Sequence, residues 1–185
     1  MGIFFTSDLH FGHKNIIGFD GRPFTSVEEM DAAIVQNWNE RVGADDLVYV
    51  LGDISWYGAG KTEALFNSLN GKKVLIRGNH DGGNWLETRG MFERVSAYEV
   101  VVINGEFLTL SHFPMPFYDR QHYDAYMLYG HVHNSHEWNF IKSYQRGLHE
   151  LDIKCKMCNV GCMVWDYRPV TLEEIKDRIE KWGCA

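Results

Sequence analysis

The chain of 185 residues has the length of one domain, and its 45% apolar and 14% aromatic content is that of a globular protein rather than a disordered one. Its net charge of −7 argues against a basic surface that grips long nucleic acids. No apolar run approaches the roughly 20 residues that cross a bilayer. We therefore expect a single domain over residues 1–185, in the cytoplasm and without a membrane partner.

Three short apolar runs in the first half of the sequence end in polar residues: GIFFTSDLH, DLVYVLGD and KKVLIRGNHD. Continuous apolar runs of this length are typical of strands that are covered on both faces. The stretch TSVEEMDAAIVQNWNERV, with Ser26 and Glu29 as a capping box, predicts a helix between the first two runs. KTEALFNSL predicts a second helix before the third run. This βαβαβ order favours parallel strands with right-handed crossovers.

The second half of the sequence has a different pattern. Two strand-like segments flank Asn104 and Gly105, which is a strong hairpin signal, so we expect this half to be antiparallel. AYMLYGHVH predicts a further strand, and the stretch that follows it is not assigned by its pattern. TLEEIKDRIEKWG predicts an amphipathic helix that begins with a capping box of Thr171 and Glu174 and stops at Gly183.

The candidate catalytic and metal-binding residues follow the apolar runs. They lie in five short segments: SDLH with Asp8 and His10, LGD with Asp53, RGNHD with Asn79, His80 and Asp81, LSH with His112, and GHVH with His131 and His133. In open α/β sheets, ligands collect beyond the carboxyl ends of the strands. We therefore expect these segments, which are scattered over about 125 positions, to converge at one edge.

The spacing within two of the segments suggests which side chains act together. Side chains two apart on an extended chain point to the same side, which pairs Asp8 with His10. The same argument pairs His131 with His133 and turns His136 away. His136 is therefore interpreted as a bystander at the rim of the pocket.

The donor set is larger than one tetrahedral zinc ion needs. Its mixture of imidazole, carboxylate and amide donors suits manganese, iron, zinc, cobalt or nickel in five- or six-coordinate sites. Two ions that share one carboxylate would use the full set. Each segment alone also has an ordinary structural explanation, such as a turn or a helix cap. Because the segments occur together in this order and each follows a predicted strand, a metal site is the better explanation of the set.

The ordered set Asp-x-His, Gly-Asp, Gly-Asn-His-Asp, Ser-His and Gly-His-x-His resembles the signature of calcineurin-like metallophosphoesterases, and it spans residues 8–133. The flanks TSDLHFGHKNII, RPFTSVEEMD and NVG...RPVTLEEI further resemble a small bacterial and phage subgroup of predicted phosphoesterases. The resemblance implies an α/β fold, a four-layer α/β/β/α sandwich with mixed sheets and a metal site at the carboxyl ends of the strands.

The resemblance also implies a role for each motif residue. One divalent metal ion would be held by Asp8, His10, Asp53 and His133. A second would be held by Asp53, Asn79, His112 and His131, so that Asp53 bridges the two. His80 would contact the phosphoryl group and assist the leaving group, and Asp81 would either orient His80 or form a turn. Manganese is the favoured metal.

These residues also predict a chemistry. Two dications opposed by Asp8 and Asp53 would leave a positive cavity that attracts phosphate to an acidic protein. Ions about 3.5 to 4 Å apart make a bridging water acidic enough to supply hydroxide for in-line attack. We therefore predict a phosphoester hydrolase, with phosphodiesters preferred because the short chain has little room for insertions. The alternatives are a nuclease for short oligonucleotides, a cyclic-nucleotide phosphodiesterase, a phosphomonoesterase and a non-enzymatic metal-binding scaffold.

Several residues near the motifs remain open to two interpretations. Arg77 is a candidate contact to a phosphate oxygen, and the candidates to line the mouth of the pocket are His13, Lys14, Asn15 and Arg22. A solvated surface position is the alternative for each of them. Aromatic residues beside the motifs could stack the base of a nucleotide, although packing in the core is favoured. The four cysteines are interpreted as free thiols, with zinc or iron–sulfur ligation as the alternative: Cys155, Cys158, Cys162 and Cys184.

Overall fold

The structure is a computed structural model that describes residues 1–182 of the chain. Its strands are β1 (Ile3–Thr6), β2 (Leu47–Val50), β3 (Lys72–Ile76), β4 (Arg94–Ser96), β5 (Tyr98–Ile103), β6 (Glu106–Ser111), β7 (Tyr126–Tyr129), β8 (Lys156–Asn159) and β9 (Val170–Thr171). Its α-helices are α1 (Ile16–Phe19), α2 (Val27–Arg41), α3 (Ala59–Ser68), α4 (Trp85–Thr88), α5 (His136–Glu150) and α6 (Leu172–Trp182). None of the helices within residues 1–182 is long and apolar enough to cross a membrane.

The first sheet has the strand order β4-β3-β2-β1-β9. Strands β1 to β4 are parallel and β9 is antiparallel to β1, which confirms the parallel pairing predicted from the βαβαβ pattern. Helix α2 begins as predicted, because the Ser26 hydroxyl accepts a hydrogen bond from the Glu29 amide at 3.1 Å. The Glu29 carboxylate accepts from Thr25 rather than completing the box on Ser26.

The second sheet has the order β5-β6-β7-β8. The predicted hairpin is confirmed, with Asn104 at φ 52° and Gly105 at φ 83°, the left-handed angles that a two-residue hairpin turn requires. The wider expectation of an antiparallel half is wrong, since β6, β7 and β8 are parallel. The reason is the unassigned stretch after β7, which forms α5 and carries the chain back across the sheet.

The alternation of side chains along the first sheet separates two cores. Phe4, Val48 and Leu75 face the helical layer, where they pack with Trp38 of α2 and Phe66 of α3. Their neighbours in the chain turn the other way and pack against the second sheet: Phe5, Tyr49 and Val74. A third core lies between the second sheet and α5. This is the α/β/β/α layering with mixed sheets that the family resemblance implies.

Helix α6 is joined to α2 through Glu174. The Glu174 amide donates to the Thr171 hydroxyl at 3.3 Å, and the Glu174 carboxylate accepts from the Thr171 amide at 2.9 Å, which confirms the capping box. Arg41, the last residue of α2, donates to both carboxylate oxygens at 3.0 and 2.7 Å. Burial alone would raise the pKa of Glu174, but these hydrogen bonds from Thr171 and Arg41 outweigh it and lower the pKa. The predicted stop at Gly183 lies outside the described residues.

Replacing Glu174 with alanine should lower the free energy of unfolding by about 1 kcal/mol at neutral pH, because a cap and an ion pair are lost together. The pKa of Glu174 is lower in the folded state than its ordinary value of 4.5, so its contribution is present above that value and is lost as the pH falls through the folded pKa. Urea denaturation of both proteins at neutral pH and at about pH 3 measures this.

The difference between wild type and Glu174→Ala should shrink at the acidic pH. Glu180→Ala, an exposed position of the same helix, is the matched control and should change stability little at either pH. A destabilisation by Glu174→Ala that is equal at both pH values would contradict the role of its charge.

Candidate metal centre

Loops from the carboxyl ends of strands in both sheets meet at one point. Asp8 and His10 follow β1, Asp53 follows β2, His112 follows β6 and His131 follows β7. The loops bind one another through backbone hydrogen bonds of 3.0 Å, from the Asp8 amide to the Gly52 carbonyl and from the Gly130 amide to the His112 carbonyl. The structure thus brings the five sequence segments together at the edge where the sheet pattern predicts convergence.

The side chains converge through turns rather than through an extended chain. Asp8, His10, Asp53, His131 and His133 all have left-handed backbones, with φ between 49° and 69°. The pairing argument based on extended strands is therefore wrong in its geometry, because β1 ends at Thr6 and β7 at Tyr129. The residues that the argument selected nevertheless lie in the cluster, whereas His136 is the exposed first residue of α5.

Glycines in the motifs allow the loops to approach one another closely. A Cβ atom at Gly130 would lie 2.0 Å from the Ser7 hydroxyl oxygen and 2.3 Å from an Asp8 carboxylate oxygen. A Cβ atom at Gly52, which has φ of 91°, would lie 2.6 Å from the Gly78 amide nitrogen. The glycine that precedes Asp53 and the one that precedes His131 are therefore steric requirements of the site.

The first donor group consists of Asp8, His10, Asp53 and His133, whose ligand atoms all lie within 4.8 Å of one another. The Nε2 atoms of His10 and His133 are 3.2 Å apart. Nε2 of His133 lies 3.4 Å from Asp8 Oδ1, and Nε2 of His10 lies 3.7 Å from Asp53 Oδ2. Both carboxylates are buried, so water provides little solvation for this concentration of donor atoms.

The orientation of His133 is set by Asp20, a residue that the sequence reasoning missed. Nδ1 of His133 lies 2.8 Å from Asp20 Oδ1, so Nδ1 carries a proton, and in the neutral ring the Nε2 lone pair faces the donor group. The other oxygen of Asp20 accepts from Arg22 at 2.9 to 3.0 Å. No short motif links Asp20 to His133, because they are 113 positions apart.

Arg22 lies beneath the centre instead of contacting substrate. Its side chain donates to the backbone carbonyls of Asp8 at 2.9 Å and Leu9 at 3.0 Å, and the residue is only 4% exposed. The prediction that Arg22 lines the mouth of the pocket is therefore wrong. Its buried charge is balanced by Asp20, and together they tie the loop after β1 to the loop after β7.

A second donor group forms around His112. Nδ1 of His112 lies 2.7 Å from the Leu51 carbonyl, so Nδ1 carries the proton and donates it there. Its Nε2 then presents a lone pair 3.0 Å from Asn79 Oδ1 and 3.5 Å from Asp53 Oδ2. The ring of His131 lies 5.1 Å from that of His112, between centroids. Three hydrogen-bond acceptor atoms thus face one another: His112 Nε2, Asn79 Oδ1 and Asp53 Oδ2. A cation between them would interact favourably with all three.

The electrostatics of both groups fit a bound cation. Burial lowers the pKa of His10 and of His131, which keeps these imidazoles neutral and able to donate a lone pair. Burial lowers the pKa of His133 too, but the hydrogen bond that its Nδ1 donates to Asp20 and the negative charge of Asp8 outweigh burial and raise the pKa overall. Burial raises the pKa of Asp8, so its charged form gains from a nearby positive charge. The donor set therefore fits divalent metal ions.

His80 stands at the edge of the donor groups. Its amide donates to Asp53 Oδ1 at 3.0 Å, while its imidazole, 46% exposed, has Nε2 4.0 Å from Asp53 Oδ2. The Asp81 carboxylate makes no hydrogen bond to this imidazole. The Asp81 carboxylate accepts from the backbone amides of Asp53, Ile54 and Gly78 at 2.8 to 2.9 Å. Of the two roles considered for Asp81, the structure has the one that holds the turn.

Three other candidate substrate contacts, Arg77, Lys14 and Asn15, lie away from the cavity in front of the donor groups. Arg77 donates to the Asp81 carbonyl at 2.8 Å and pairs with Glu87, so its charge supports a loop. Lys14 and Asn15 are exposed and do not line the cavity of about 410 Å³, although the neighbouring His13 does. The structure therefore brings together the predicted metal ligands. Of the candidate substrate contacts, it places His13 at the cavity but not Arg77, Lys14, Asn15 or Arg22.

The three described cysteines are buried thiols: Cys155, Cys158 and Cys162. Cys162 lies with its Sγ 3.2 Å from the Asp8 carbonyl, and burial raises its pKa to about 12, which keeps it protonated. Within residues 1–182, the cluster of side chains suited to a metal contains no cysteine. Cys184 lies outside the described residues.

Comparison with known proteins agrees with this geometry. The family model for calcineurin-like phosphoesterases matches residues 1–154. MJ1445, an uncharacterised protein of Methanocaldococcus jannaschii, is 37% identical over 183 residues, which cover 97% of this chain and 92% of the relative. The gene 66 protein of Mycobacterium phage L5 is 41% identical over 103 residues, 52% of this chain and 47% of the phage protein.

A solved structure extends the comparison to the whole fold. AQ665 from Aquifex aeolicus, a protein of unknown function, superposes with a TM-score of 0.72 at 26% identity, covering 96% of this chain and 98% of that one. The relatives include a phage protein, as the resemblance of the flanking motifs implies. The chain belongs to the calcineurin-like phosphoesterase family and is a metal-dependent phosphoesterase.

Proposed function

We propose that the enzyme hydrolyses phosphodiesters with two divalent metal ions. Asp8, His10, Asp53 and His133 would hold one ion. Asp53, Asn79, His112 and His131 would hold the other, so that Asp53 is shared. The observation that carries this proposal is the concentration of potential ligand atoms, above all the two Nε2 atoms 3.2 Å apart beside two buried carboxylates. Buried carboxylates and imidazoles packed this closely are costly unless a cation binds them.

Such ions, when bound, make water acidic and neutralise charge on phosphoryl oxygens. The mixture of carboxylate, imidazole and amide donors suits manganese, iron, zinc, cobalt or nickel, and manganese is our first choice. The Leu51 carbonyl and Asp20 hold the protons of His112 and His133 on Nδ1. These two contacts keep both Nε2 atoms available as ligands.

His80 is the group that we assign to the leaving oxygen. Its backbone is anchored on Asp53 and its imidazole is half-exposed toward the cavity, so it can approach a phosphoester without being a ligand. A protonated imidazole there would donate a hydrogen bond or a proton to the departing oxygen. His80 therefore acts on the substrate, while the other motif histidines act on the metals.

The charge around the cavity supports a diester in preference to a monoester. A monoester carries the greater negative charge, which side chains of lysine or arginine commonly balance. The cavity-lining residues that the structure describes include neither, and Glu137 among them adds negative charge. Attraction of the phosphate thus depends on the metal ions alone, and a singly charged diester demands less of it. A cytoplasmic location remains a prediction.

Loaded with manganese, the protein should hydrolyse an aryl phosphodiester faster than the matching aryl monoester. Asp53→Asn removes the carboxylate shared by both donor groups, so turnover should fall by more than the roughly 100-fold that loss of a ligand-orienting residue costs. The measurement is a steady-state assay with each candidate metal in turn. Asp45→Asn, the same chemical change at an exposed position, is the control and should leave turnover unchanged.

Three results of this assay would count against the proposal. Absence of turnover with every metal would refute the proposed reaction. Activity retained by Asp53→Asn would refute the assigned site. Faster hydrolysis of the monoester would replace the diesterase with a phosphomonoesterase.

His80→Ala should lower turnover by about 10²- to 10⁴-fold while the metal content, measured by elemental analysis, stays the same. The loss should be greater for an alkyl leaving group than for 4-nitrophenolate, because the nitrophenolate departs without needing a proton. His122→Ala, an exposed histidine of a 3-10 turn, is the matched control. An equal loss for both leaving groups, or a loss of metal, would show that His80 does not assist departure.

Asp20→Ala should weaken metal binding by roughly 10- to 100-fold, because the His133 proton is no longer held on Nδ1. Asp20→Asn keeps an oxygen that can accept from Nδ1 and should lose less. Titration calorimetry with manganese measures both affinities without substrate. Equal affinity in wild type and Asp20→Ala would contradict the orienting role of Asp20, and equal loss in the two variants would assign the effect to its charge on Arg22.

A further inference from the structure

An aromatic wall stands next to the donor groups. It consists of Trp56, three residues after Asp53, and of Phe19 in α1, with His13 between them. The ring of Trp56 lies 4.4 Å from that of His80 and 4.0 Å from that of His13, between centroids. Phe19 meets His13 edge-on at 6.3 Å. Both aromatic residues line the cavity that opens onto the donor groups.

These two rings do not pack in a core. Trp56 is 45% exposed and Phe19 is 77% exposed, whereas Trp38 in the helical layer is 0% exposed. The sequence alone favours core packing for aromatics near the motifs, and the structure reverses this for Trp56. Large aromatic surfaces left open at the mouth of a site are typical of ligand contact, because an aromatic ligand can cover them.

The chemistry of the wall limits what can lie on it. Ile16 and Val132 add apolar surface to the cavity, and Glu137 adds negative charge. Among the cavity-lining residues that the structure describes, lysine and arginine do not occur. A second phosphate group would be repelled here, whereas a flat and uncharged ring would be accommodated.

The position of His80 indicates which part of the substrate the wall receives. His80 is assigned to the leaving oxygen, and its ring packs against Trp56. The alcohol that departs with that oxygen must therefore extend over the wall. Its carbon skeleton would meet the exposed part of Trp56 first and then Phe19.

We propose that Trp56 and Phe19 form a subsite that stacks a nucleobase carried on the leaving-group side of a phosphoester with a single phosphate. This inference rests on the proposed function, since it needs the phosphate at the donor groups and His80 at the leaving oxygen. Stacking on an aromatic side chain is tolerant of base identity, because every base has a flat π-face. The substrates are therefore nucleoside phosphoesters as a class, without selection for one base.

A pair of cyclic esters tests the subsite. Adenosine 2′,3′-cyclic phosphate and 1-O-methylribose 2,3-cyclic phosphate share the same ester, and either departing oxygen stays on the sugar that carries the base. The wild-type enzyme should prefer the adenosine ester by about tenfold or more in kcat/KM. Trp56→Ala should remove most of this preference, Phe19→Ala part of it, and Trp56→Phe little of it.

The ratio between the two esters is the decisive quantity, because Trp56 also touches His10 and His80 and its loss can slow both reactions. Tyr98→Ala is the matched control, since Tyr98 is 41% exposed on β5 and does not line the cavity. It should leave the ratio unchanged. A wild-type enzyme that hydrolyses both esters equally well would overturn the subsite and leave the phosphodiesterase standing, as would an unchanged ratio in Trp56→Ala.

A binding measurement separates failure of the subsite from failure of the reaction. Adenosine, which has no phosphate, should quench the tryptophan fluorescence of the wild-type protein, and this quenching should be lost in Trp56→Phe. Quenching at Trp56 without hydrolysis of any ester would refute the proposed reaction alone. Quenching that persists in Trp56→Phe, or its absence from the wild type, would overturn the subsite.

Discussion

The left-handed backbone of the donor residues is the constraint on which the rest of the centre depends. Asp8, His10, Asp53, His131 and His133 each adopt a φ that costs an ordinary residue roughly 1 to 2 kcal/mol, although Asp and His tolerate it better than most. This conformation lets a chain that leaves a strand turn at once and aim successive donors at one point. The left-handed conformation persists only where contacts with the surrounding structure stabilise it.

Hydrogen bonds between the loops provide that support. Arg22 binds two carbonyls of the first loop and, through Asp20, the imidazole of His133. Asp81 accepts hydrogen bonds from three backbone amides where the loop after β2 meets the loop after β3. The side chains of Arg22 and Asp81 support the loops and do not line the cavity. The contact between Asp20 and His133 also holds a ring proton on Nδ1. The contacts that hold the loops in place therefore also let Nε2 of His133 act as a metal ligand.

Much of this architecture could be predicted from local sequence. The apolar runs predict β1 to β3, Asn104 and Gly105 predict the hairpin, and polar residues after the strands predict an edge where ligands collect. The direction of the second sheet could not be predicted, because it depends on α5, whose pattern was not assigned. The left-handed turns could not be predicted either. The two-residue spacing of side chains on an extended chain selects the same donor residues, although those residues lie in turns.

Contacts between residues far apart in the chain account for the remaining differences. Arg22 near a metal motif has the sequence character of a phosphate ligand, and only its burial against Asp20 and two carbonyls reveals another role. Asp20 has no local signal, because its partner is 113 positions away. The exposure of Trp56 likewise depends on how the loop after Asp53 packs, and the spacing of apolar residues in the sequence does not predict that packing.

The number of metal ions bound per chain tests the central claim most directly. In the proposed two-metal centre, Asp53 is shared by two donor groups, and each group is completed by residues from both sheets. Equilibrium dialysis against manganese followed by elemental analysis should find two ions per chain in the wild-type protein. One ion or none at saturation would contradict the account.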